Sequence, residues 1–136
     1  MEAIAKLNNC TIAPRKMRMV ADLIRGQRIG YALSVLQYDS KAGSRFMEKL
    51  LLSAISNWTQ KYEDSDVEEA DLYIKEIYVD GGRVLKRIQP APQGRAHRIR
   101  KRSSHTTIKL DAINAVEDTA VEEVKEVKEE TKEKAE

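Results

Sequence analysis

Residues 76–108 read EIYVDGGRVLKRIQPAPQGRAHRIRKRSSHTTI, the most informative pattern in the chain. β-Branched and aromatic residues over 72–79 predict a strand, and Gly81 with Gly82 allows a bend or bulge beyond it. Two basic arms, 83–88 and 95–102, flank Gln89, Pro90, Ala91, Pro92, Gln93 and Gly94, whose prolines and glycine suit a turn. Small polar and apolar residues alternate over 106–110 and should bring the chain back to the sheet. If the stretch from 80 to 105 pairs about Pro92, each arm spans about 12 residues, or roughly 40 Å at about 3.3 Å per residue. Val84, Leu85, Ile88 and Ile99 are its main apolar side chains, and a two-stranded ribbon without a further layer is marginal in water. The ordering energy must then come from charge. Residues 83–102 hold eight Lys/Arg and no acid, a density suited to a polyanion.

Upstream, Pro14 suits the first turn of a helix, and Met17, Val20, Ala21 and Ile24 follow at helical spacing until Gly26 supplies a stop. Ile29, Ala32, Leu33 and Leu36 predict a second helix ending near Tyr38. Asp39 and Ser40 are expected to cap a third, which carries Phe46, Met47, Leu50, Leu51, Ala54, Ile55 and Trp58. Residues 1–10 read as a strand or a frayed arm, and the acidic stretch 61–71 as a loop. The expected architecture is α+β: three helices packed on a small antiparallel sheet, with a long protruding β-hairpin and a disordered acidic C-terminal tail. Residues 1–110 form the expected domain, with the extended hairpin at about 80–105. Residues 111–136 are the acidic low-complexity tail, too poor in apolar residues to offset the entropy of ordering.

Composition narrows the function classes. The 136 residues suffice for one domain, and only 5% are aromatic, which disfavours a large aromatic substrate pocket. No apolar run approaches the roughly 20 residues needed to cross a bilayer, and no secretory signal opens the chain, so a soluble cytoplasmic protein is expected. The lone Cys10 excludes an internal disulfide framework and a multi-cysteine zinc site. Net charge is only +2, but residues 111–136 contain ten acids and four lysines, leaving 20 bases against 12 acids elsewhere.

The candidate RNA-binding groups on the hairpin are Arg83, Lys86 and Arg87 on the inbound arm. On the outbound arm they are Arg95, His97, Arg98, Arg100, Lys101, Arg102 and His105. Guanidinium groups fork onto phosphates and stack on exposed bases. A second basic group, Arg15, Lys16 and Arg18, sits at the start of the first helix, with Arg25 near its end; helix N-terminal amides also favour phosphate. A solvated helix face is the alternative there.

Paired imidazoles at His97 and His105 would suggest RNA cleavage, but they lie eight residues apart with no adjacent carboxylate in sequence to orient either ring, and no enzyme is expected. The acids at 64–71 are read as a hydrated loop rather than a cation site. Neither a metal nor a cofactor is expected. A free nucleic-acid-binding protein, such as an RNA chaperone or architectural DNA binder, would use the same ribbon and remains the alternative reading.

PRKMRMVADLIRG at 14–26, SAISN at 53–57 and the long stretch at 76–108 closely resemble the family of bacterial ribosomal protein twenty-two of the large subunit. The resemblance runs from Met1 to about Leu110. It implies a structural constituent of the large subunit that binds large-subunit (23S) rRNA and supports early assembly. Its partners would be neighbouring large-subunit ribosomal proteins and the nascent peptide, with no membrane and no small-molecule substrate. It also implies that the hairpin tip, Ile88, Gln89, Pro90, Ala91, Pro92, Gln93 and Gly94, helps line the peptide exit tunnel. Two departures stand out. The tip lacks two basic residues frequent in the family, and the acidic tail is an addition.

Overall fold

The computed structural model describes residues 2–62 and 71–113. Most of the acidic loop and of the C-terminal tail, including the expected disorder of the latter, lie outside the described residues. The elements run β1 (Glu2–Cys10), α1 (Pro14–Ile24), α2 (Ile29–Tyr38), α3 (Ser44–Lys61), β2 (Leu72–Pro90), a 3-10 turn (Pro92–Gly94) and β3 (Ala96–Ala112). The sheet is antiparallel in the order β1-β3-β2. The α+β class and three helices match the sequence reading.

One face of the sheet packs on the helices. Alternation in β3 turns Ser104, Thr106, Ile108 and Leu110 inward. Met17, Val20, Ala21 and Ile24 of α1 meet this layer with no exposed surface, as do Met47, Leu51, Ala54 and Trp58 of α3. These helical positions recur every three or four residues, which places them on one side of each helix. Phe46, counted in the apolar stripe from sequence, is exposed instead; the stripe was wider than the side one helix can bury.

Asp39 and Ser40 do not cap α3. The helix begins four residues after Ser40 with Gly43 at its N-cap and no side-chain cap. The Asp39 carboxylate is occupied by the Ser44 hydroxyl, which donates at 2.6 Å, and by the Lys41 ammonium at 2.9 Å. It thus closes the intervening turn. Gly26 adopts a positive φ of 70° after α1 as expected, and its N–H donates to the Ile74 carbonyl. Ile74 N–H returns a bond to the Gln27 carbonyl, so the α1–α2 connection covers the rim of β2, a protection edge strands commonly need. On the opposite rim, Asn57 and Lys61 of α3 donate to the Ile4 and Glu2 carbonyls at 3.0 and 2.9 Å.

Lys75 ties the end of the sheet farthest from the hairpin, contacting Glu2 at 2.5 Å and Asp111 at 2.8 Å. β3 therefore continues two residues past Leu110, and Asp111 is built into the domain. Burial pulls the Asp111 carboxyl upward, but the Lys75 ammonium and the Ala112 N–H outweigh it and hold the group below the usual carboxylate range. Ser44 and Lys41 lower Asp39, and Lys109 with Tyr78 lowers Glu76. A depressed folded-state pKa stabilises the native state above the unfolded value and loses that contribution as pH falls through the folded one. Melting temperature should therefore be flat in this respect at neutral pH and fall below about pH 4. Asp111→Asn should melt lower at pH 7 and show a shallower acid limb; parallel limbs in a calorimetric pH series would contradict the assignment.

Candidate nucleic-acid interface

Both rims of the sheet change register opposite the same residue. Cys10 of β1 and Gly81 of β2 each pair with Ser104, with bulges between Leu7 and Cys10 and between Gly81 and Val84. Asn9 takes a positive φ of 56° in the first bulge, and its N–H donates to His105 Nδ1 at 3.1 Å. This orients the ring with Nδ1 toward the bulge. A Cβ at Gly82 in the second bulge would lie 2.6 Å from Ser103 Oγ and 3.0 Å from His105 Nε2, so a side chain there would have to displace the Ser103 hydroxyl and the His105 ring. Ser103 Oγ in turn donates to the Arg83 carbonyl, and Ser104 Oγ to that of Ile12. Beyond this junction β1 ends and β2 and β3 continue as a two-stranded arm.

The arm pairs Val84 with Arg102, Leu85 with Lys101, Lys86 with Arg100, Arg87 with Ile99, Ile88 with Arg98, Gln89 with His97 and Pro90 with Ala96. Directly paired residues share a face. Lys86, Arg98, Arg100 and Arg102 therefore lie on one face with Val84 and Ile88, while Arg87, Lys101 and His97 lie on the other with Leu85 and Ile99. The first face continues the side of β3 that carries Ser104, Thr106, Ile108 and Leu110. Where the body presents apolar groups to helices, the arm presents cations to solvent. Lys86 and Arg100 stand opposite each other, a repulsive arrangement for an isolated ribbon. All eight arm cations are exposed, and among the described residues none has an ion pair. The tip turns through Gln93 and Gly94, both at positive φ, and Ala91 N–H donates to the Arg95 carbonyl at 2.8 Å.

The first-helix group is divided. Arg15 and Lys16 are exposed in the first turn of α1, close to the arm because Ser104 holds the preceding Ile12. Arg18 is exposed as well, but its Nε and Nη2 both donate to the Val79 carbonyl, at 3.2 and 3.0 Å. It braces β2 just before the Gly81 bulge, a use that a count of charges does not distinguish from phosphate binding. Arg25 lies at the other end of α1, about 16 Å along at 1.5 Å per residue, paired with Asp22 at 2.7 Å.

His97 and His105 are on the same face but roughly 26 Å apart along an extended strand, too far to act together on one bond. Asp80 is opposite His105 across the sheet, a carboxylate neighbour that sequence spacing did not reveal, yet Nδ1 is engaged by Asn9. Among the described residues no group of three potential metal ligands occurs. Cys10 is buried.

The sequence model of the family described as ribosomal protein L22p/L17e matches residues 5–111. The chain belongs to this ribosomal protein family. It is 65% identical over 112 residues to large ribosomal subunit protein uL22 of Flavobacterium johnsoniae, covering 82% of each chain. Identity to the protein of the same name from Flavobacterium psychrophilum is 62% over 112 residues, again 82% of each. The Cytophaga hutchinsonii protein is 54% identical over 125 residues, 90% of this chain and 69% of that one. The L22p/L17e match takes in β3 up to Asp111, including the whole arm and the junction at Ser104. The family is structural and non-enzymatic, in keeping with two separated imidazoles that share no substrate position.

Proposed function

We propose that the chain is a structural constituent of the large ribosomal subunit, with its arm packed among nucleotides of large-subunit (23S) rRNA. The observation that carries this reading is the change along one side of β3, from apolar residues under helices to Arg98, Arg100 and Arg102 in the open. RNA takes the place of the missing layer there. Phosphates neutralise the facing Lys86 and Arg100, and guanidinium planes offer surfaces to exposed bases. Arg15 and Lys16 extend the same basic surface onto the body, while Arg25 would meet RNA separately from the arm. Binding of this kind supports early subunit assembly, before neighbouring large-subunit proteins join. The tip at residues 88–94 would then lie along the peptide exit tunnel, with Ile88 and Gln93 exposed to the nascent peptide.

Family membership favours this reading over a free RNA chaperone or architectural DNA binder, and sedimentation separates them. Epitope-tagged full-length chain should remain with large subunits through a wash in 1 M salt, a condition that strips proteins held by counterion release alone. Recovery wholly in the supernatant would overturn the proposal.

A further inference from the structure

Beside the arm's root, a cleft of about 470 Å³ is lined by Asn9, Thr11, Arg83, Leu85 and the run from Lys101 to Ser103. Its origin is the double slip opposite Ser104. β1 leaves the sheet at Cys10 while β2 and β3 run on, so the flank of the arm next to Thr11 is uncovered. The volume falls within the roughly 300 to 1,000 Å³ of small-ligand sites, although no enzymatic substrate is expected of this family.

We propose that this cleft holds one nucleotide extruded from the stack of a bound RNA, so that the root of the arm recognises a base as well as phosphates. The inference rests on the RNA-binding reading above and deepens it. The lining offers the three functions that an unstacked nucleotide needs. Arg83 supplies a guanidinium and Lys101, on the Leu85 face, an ammonium, while Arg102 borders the cleft from a position on the other face, and none has an ion pair among the described residues. Leu85 presents a half-exposed apolar surface in the middle of an otherwise cationic segment. Asn9 and Thr11 bring side-chain donors and acceptors capable of meeting a base edge.

The walls are also held in advance. Asn9 is pinned through its N–H to His105, and Arg83 through its carbonyl to Ser103. A site whose frame is fixed before binding loses less freedom when it closes on its ligand. Bare electrostatic tracking of a backbone would require neither an apolar floor nor a fixed frame.

The test uses the full chain and three stem-loop RNAs of equal length: one fully paired, one with a single bulged adenosine, and one with an abasic residue at that bulge. Wild type should bind the adenosine bulge about tenfold or more tightly than the abasic one, the scale of a base contact measured by side-chain removal. Leu85→Ser should abolish that preference while leaving affinity for the paired stem unchanged. Asn9→Gly, which retains the left-handed backbone, should reduce it. Equal affinity for adenosine and abasic bulges, or a preference that survives in Leu85→Ser, would overturn the cleft assignment while the RNA-binding reading stands. Failure to bind any of the three would instead overturn that reading.

Discussion

Changing Lys86, Arg98, Arg100 and Arg102 together to Gln should weaken binding of the full chain to transcribed large-subunit rRNA by about a thousandfold at 0.1 M salt. Each phosphate contact releases roughly 0.7 to 0.9 of a counterion. Four contacts should therefore also reduce the slope of log K against log salt by about 3 in filter-binding titrations. The variant should melt no lower than wild type, because these side chains are exposed and Lys86 faces Arg100 without an acid between them. A slope altered by less than about 1 would mean that this face is not the one that meets RNA. A lower melting temperature would mean that the charges hold the arm together rather than its partner.

Arg18 should behave in the opposite way. Arg18→Met removes both donors from the Val79 carbonyl while keeping most of the aliphatic stem, and hydrogen bonds from charged groups contribute roughly 1.5 to 3 kcal/mol. A fall in melting temperature of about 5 to 10 °C is expected for a domain of this size, with the salt slope essentially unchanged. Arg15→Gln provides the contrast. It is exposed like Arg18 but makes no side-chain hydrogen bond to the body among the described residues, so stability should stay the same and the slope should drop by about 1. Calorimetry and salt titration on both variants separate the roles. A normal melting temperature for Arg18→Met, together with a reduced slope, would return Arg18 to the RNA-contacting set.

These two residues show where sequence reading succeeds and where it stops. The helices were legible because burial imposes a period: Met17, Val20, Ala21 and Ile24 can share a side only if the backbone turns every 3.6 residues. The arm was legible for a different reason, since basic residues on both sides of Pro90 and Pro92 fit paired strands about a turn. What remained hidden were the interactions linking distant positions. Arg18 meets Val79 across 61 residues, Lys75 meets Asp111 across 36, and Asn9 meets His105 across 96. An arginine bracing a carbonyl and an arginine facing a phosphate are the same letter. Asp39 misled because a capping residue type also serves to close a turn, and the helix began at Ser44 instead.

β3 passes Ser104 without interruption while both of its neighbours slip there. β3 therefore joins the tip to Ile108 and Leu110, in the layer beneath the helices, with no slip of its own, and β2 runs beside it across a bulge to the buried Ile77 and Ile74. Tip and core are thus two ends of the same pair of strands.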